Sequence, residues 1–177
     1  LRIYLSPELR RPFDRAWGLV PACLHTPLGS FLRSVREVKR GGAIKLRLSD
    51  GSSVRLGLVE GPAAMFLDSS LPRMRGWILL RSDLSTRPEA IVTLFVLHEI
   101  AHALRALEDP ARAEAVAVAR AEIAAWMQAG AWAAHAPPGE DTEELVDEAL
   151  YRAWEEHLEA RELRASGEEG GSGEEGS

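Results

Sequence analysis

The sequence predicts an α+β domain in which helices at both ends enclose a small antiparallel sheet, and three observations carry that reading. Two runs of alternating apolar and charged residues flank Asp50-Gly51 in the first half of the chain, the pattern of a tight hairpin. From Arg87 onward, apolar residues recur at helical rather than strand spacing. No helical stretch separates the paired runs, so their pairing reads as antiparallel.

Taken in order, Ser6-Pro7-Glu8 opens the first helix, with serine as N-cap, proline in the first turn and an acid near the positive end. Leu5, Leu9, Phe13, Trp17 and Val20 continue at helical spacing, and Pro12 is a place where that helix can kink. Pro21 and Pro27 bracket an expected loop. Leu28, Leu32, Val35 and Val38 again step at helical spacing up to Gly41-Gly42, with a strand as the alternative for residues 31–38. Ile44, Leu46 and Leu48, then Val54, Leu56 and Leu58, form the two sides of the hairpin. Ala64 to Leu67 adds a short strand, and Trp77 to Leu80 another, bounded by Gly76 and by Ser82-Asp83.

Pro88 then opens a helix to about Leu107, and Asp109-Pro110 restarts a second one to about Ala129. Ala131 to Gly139 reads as a loop. Asp141 or Thr142 caps a third helix, in which Leu145, Ala149, Tyr151, Trp154 and Leu158 are expected to form the buried stripe. Residues 165–177 contain no bulky apolar side chain. They bury too little surface to offset ordering, so residues 1–164 are expected to be the domain and 165–177 a disordered tail.

The 177 residues suit one core, and 46% apolar with 27% charged residues is the balance of a globular chain. Cys23 is the sole cysteine, which excludes an internal disulfide and a thiolate metal cluster. Any metal site must use histidine and carboxylate. The apolar stretch Ala90 to Leu97 is too short to span a bilayer, and no charged-then-apolar leader is visible, so the expected location is cytoplasmic, with no membrane partner. Residues 1–87 hold 15 Lys+Arg against 7 Asp+Glu, and residues 88–177 hold 6 against 20. Mutual neutralisation of the two halves is the favoured explanation, ahead of a nucleic-acid partner for the basic half.

The residues with the clearest chemistry are His98-Glu99-Ile100-Ala101-His102. Four residues apart on a helix, His98 and His102 present two imidazoles to one point, while Glu99 is turned about 100° away. Two such imidazoles suit Zn2+, and the adjacent glutamate is placed to take a proton from water and return it to a leaving amine. A third ligand must come from elsewhere. Glu108 lies six residues after His102, but Arg105 stands where the extended metzincin pattern requires glycine. Glu114, in the second turn of the following helix, is the preferred candidate, and Glu122, two turns on, is the reserve.

The run Gly76-Trp77-Ile78-Leu79-Leu80, then Arg87 and the helix through Val96-Leu97-His98-Glu99-Ile100-Ala101-His102-Ala103-Leu104, resembles the core of small gluzincin metallopeptidases. The nearest resemblance is to the ImmA/IrrE-like group, in which a glutamate followed by alanine opens the next helix, as Glu114-Ala115 with Ala119 would here. It covers about residues 76–120. The resemblance implies a zincin-like fold, zinc held by His98, His102 and Glu114, Glu99 as catalytic base, and a peptide or protein substrate. It also implies that Gly76 to Arg81 pairs with substrate as an edge strand, with an interior strand as the alternative. His157 and Tyr151 are candidates for oxyanion stabilisation, Cys23 reads as a small buried residue, and the five tryptophans read as core. Three other functions remain open: a metal-binding regulatory module without catalysis, a nucleic-acid-binding domain using Arg33, Arg36, Arg40, Arg47 and Arg55, and a zinc hydrolase acting on something other than a peptide.

Overall fold

The computed structural model describes residues 1–39, 43–47, 53–57, 64–67, 75–108, 115–137 and 140–169. Its elements are β1 (Arg2–Tyr4), α1 (Pro7–Leu19), α2 (Ala22–Phe31), β2 (Ser34–Val38), β3 (Ala43–Arg47), β4 (Ser53–Gly57), β5 (Ala64–Leu67), β6 (Trp77–Arg81), a 3-10 turn (Ser82–Thr86), α3 (Glu89–Glu108), α4 (Ala115–Ala133) and α5 (Glu140–Glu169). Helix and sheet are mixed, as the sequence predicts.

The expectation of a wholly antiparallel sheet is corrected. Among the described residues, β3 and β4 form a two-stranded antiparallel hairpin, while the main sheet has the order β1-β2-β6-β5. In that sheet β1 pairs with β2 and β2 with β6 in parallel; only β5 runs antiparallel to β6. The physical reason is the crossover: α1 and α2 lie between β1 and β2, which returns the chain in the same direction. β1 has three residues, too few for an alternating pattern to declare itself. The strand at Trp77 is interior, flanked by β2 and β5, so the edge-strand reading of Gly76 to Arg81 is also overturned.

The helical spacing of Leu28, Leu32, Val35 and Val38 straddles two elements. The Leu32 amide closes the end of α2 by donating to the Leu28 carbonyl at 2.7 Å, and Val35 and Val38 belong to β2. β-branched side chains pack well on a pleated surface. The loop expected between Pro21 and Pro27 is instead α2, with Pro27 inside it. Ser6 occupies the N-cap position of α1 but makes no side-chain cap; its own amide donates to Glu37 of β2 at 2.8 Å. Gly76 has φ +79°, and a Cβ there would run into the Phe31 carbonyl. Its own carbonyl accepts from the Arg33 amide at 2.8 Å, which ties the start of β6 to the α2–β2 corner.

α3 is the central element. It packs against α1, α2, α4, α5 and β5, so residues all round it are buried, including Leu94, Leu97 and Ile100. By length and composition α3 passes as a membrane span, but most of its apolar window is buried inside the protein. α4 and α5 pack closely, with Gly130 letting α4 approach Ala149. The buried stripe of α5 is Leu145, Ala149, Ala153 and Ala160; Tyr151, Trp154 and Leu158 are exposed, contrary to expectation. α5 also continues to Glu169, into the segment expected to be a tail, while residues 170–177 lie outside the described residues.

Candidate metal centre

The site forms where the middle of α3 meets α4. Helical spacing on α3 brings the rings of His98 and His102 to 4.5 Å between centroids. α4 supplies Glu122, whose Oε2 lies 3.2 Å from His98 Nε2 and 3.3 Å from His102 Nε2. Among the described residues, His98, His102 and Glu122 are close enough to bind one metal ion, with donor atoms all within 4.8 Å of one another. Side-chain exposure rises from 7% at His98 through 17% at His102 to 32% at Glu122, so the group opens to solvent at the glutamate end.

The preferred third ligand, Glu114, lies outside the described residues. The residue brought to the two histidines is the reserve candidate, Glu122, and Glu108 ends α3 as an exposed charge. Glu99 is buried beside His98, its Oε1 3.4 Å from His98 Nδ1. Trp126, four residues after Glu122, lies flat on His98 with centroids 3.8 Å apart and planes 10° apart. Sequence reasoning assigned it only to the core, although its one-turn spacing from Glu122 was a usable signal.

The electrostatics follow from burial and pairing. Burial works against protonation of His98, but Glu122 and then Glu99 overcome it and raise the His98 pKa above the usual histidine value. Burial likewise pushes Glu122 up, and His102 and then His98 more than reverse this, holding its carboxyl well below the usual carboxylate range. Among the described residues, His98 Nε2 is buried without a hydrogen-bond partner, although Glu122 Oε2 lies 3.2 Å away. A buried ring nitrogen in that condition fits a metal ligand.

The remaining candidates fall away from this group. His157 stacks on exposed Trp154 at 5.7 Å, and Tyr151 is exposed on the same helix, its hydroxyl bonded to Glu155 and its pKa raised by that bond. His25 bonds the Trp17 and Val20 carbonyls at the end of α1, and His135 bonds the Ala131 carbonyl at the end of α4. Cys23 is exposed rather than buried. Arg36 lies between the rings of Tyr4 and Trp77, at 4.6 and 4.5 Å. Arg40 and the side chains of Arg47 and Arg55 lie outside the described residues. No family model matches the chain, and no match emerges among curated proteins or solved structures.

Proposed function

We propose that the chain is a zinc-dependent peptidase of the gluzincin kind, with His98, His102 and Glu122 as ligands and Glu99 as general base. The observation that carries this reading is the convergence of two imidazole nitrogens on one carboxylate oxygen at 3.2 and 3.3 Å. Bonds of 2.0–2.1 Å from a tetrahedral zinc place neighbouring donors about 3.4 Å apart, close to the two histidine–Glu122 separations. When bound, such an ion supplies Lewis acidity toward a carbonyl oxygen and makes water more acidic.

The chain's own residues do the rest. Glu99 accepts the proton of the attacking water at its carboxylate and hands it to the leaving amine. Apolar walls from α3 and α4 hold bulk water away from the His98 end, and substrate enters from the His102 and Glu122 side. β5 is an edge of the main sheet among the described strands and packs on α3. It therefore takes over from β6 as the strand that pairs with an extended peptide.

The test is elemental analysis of protein purified without a histidine tag, followed by cleavage assays on a quenched-fluorescent peptide mixture. We expect near one zinc per chain, lost in His98→Ala and Glu122→Ala and kept in Glu114→Ala. Glu99→Gln should keep the zinc and lose about 10²–10⁴-fold in cleavage rate. Absence of metal after zinc is supplied would sink the reading. Bound zinc with no cleavage by the unmodified protein would instead favour a metal-binding module without catalysis.

A further inference from the structure

We propose that Trp126 is the positioning residue of this centre, fixing the plane of the His98 ring so that Nε2 faces Glu122 and His102. The inference rests on the metal-site reading above and names how its geometry is held. A metal-binding histidine usually has its ring oriented by a hydrogen bond from the other nitrogen. Here Nδ1 of His98 has the Glu99 carboxylate 3.4 Å away, longer than a well-formed N–H···O bond. Glu99 is also the carboxylate needed for proton transfer. A flat indole at 3.8 Å and 10° supplies the missing constraint, because rotating the imidazole out of plane drives its edge into the indole face.

The stack is itself held from two sides. Trp126 is buried, and Phe95, one turn before His98 on α3, meets it edge-on at 5.9 Å. On α5 the Arg152 guanidinium sits 6.0 Å from the Trp126 ring and 5.6 Å from that of Phe95. Glu148 holds Arg152 in turn, accepting from its Nε at 2.9 Å. Glu122 and Trp126 are one helical turn apart, so a single turn of α4 delivers both the carboxylate ligand and the orienting ring. α5 contributes to the centre through Arg152 without supplying a ligand.

The experiment compares Trp126→Leu, Trp126→Phe and Arg152→Met with the unmodified protein. Zinc affinity is measured by competition with a chromophoric chelator, and ligand geometry by the visible spectrum after cobalt substitution. We expect Trp126→Leu to bind zinc about 10–100-fold more weakly, the usual cost of losing a partner that orients a ligand, with an altered cobalt spectrum. Trp126→Phe retains a ring and should restore both readouts. Arg152→Met should weaken binding about two- to fivefold, the size of one cation–π contact.

A folded Trp126→Leu protein with unchanged zinc affinity and cobalt spectrum would overturn the proposal, as would a Phe variant as weak as the Leu variant. Should the Leu variant not fold, half-exposed Arg152 decides the matter: an Arg152→Met protein unchanged in both readouts counts against the stack. Failure of the unmodified protein to bind zinc is a different result, removing the centre itself.

Discussion

Of the tryptophan–histidine stacks among the described residues, two that lie on neighbouring parts of this molecule have opposite characters. Trp126 and His98 are parallel at 3.8 Å, whereas Trp154 and His157 are 5.7 Å apart with planes 29° apart. Trp126 is 5% exposed and Trp154 58%. The first joins two helices across a packed interface; the second joins successive turns of one helix on its outer side. Ring chemistry is the same in both, so burial and the neighbouring carboxylate make the difference. A histidine beside a tryptophan is informative only when its free nitrogen is enclosed and aimed at another donor.

The largest effect that separates the two regions is on stability. Trp126→Ala empties a site closed by α3, α4 and α5, and should cost about 3–5 kcal/mol in denaturant unfolding of chelator-treated protein. The metal-free condition matters, because bound zinc would add its own linkage term. A cost below about 1 kcal/mol would mean that the surrounding helices collapse readily into the space, and the contrast between the two stacks would lose its basis.

What was legible in the sequence follows the same division between local and long-range order. The hairpin of β3 and β4, the strands at Ala64 and Trp77, and α3 all follow from patterns within a few residues. His98, Glu99 and His102 were legible because one helix carries all three. The third carboxylate was not: choosing Glu122 over Glu114 requires knowing how α4 lies against α3, which neither helix states alone. Parallel pairing of β1, β2 and β6 was hidden for a related reason, since three residues at Arg2–Tyr4 carry too little pattern to reveal a crossover. On α5, periodicity alone did not say which stripe turns inward. Small Ala149 and Ala153 won the interface because close approach to Gly130 leaves no room for Tyr151 or Trp154.

A smaller effect probes the inward side of α5 at Glu156. Burial first, then the charges of Glu122 and Glu159, raise its pKa above the usual glutamate value. A carboxyl whose pKa rises on folding makes the folded state less stable once pH exceeds its unfolded pKa. Glu156→Gln should therefore stabilise metal-free protein at pH 7 by less than about 1 kcal/mol, a modest gain because solvent screens a half-exposed charge. The gain should fade as pH falls below the unfolded glutamate pKa of about 4.3, and paired melts at both pH values would show it. An equal gain at low pH would assign the effect to packing rather than charge.

The smallest expected change is on the outer face. Trp154→Ala removes an exposed ring and its contact with His157, and should alter stability by no more than about 0.5 kcal/mol, in either direction. Zinc affinity should not move, because Trp154 lies on the side of α5 turned away from Leu145 and Ala149. Unfolding measured at two protein concentrations sharpens the point. If the unmodified protein is more stable when concentrated and the Trp154→Ala variant is not, the outer face buries its rings against a second copy. Concentration-independent unfolding of both proteins would leave Trp154 as a surface residue whose stack on His157 holds no part of the fold.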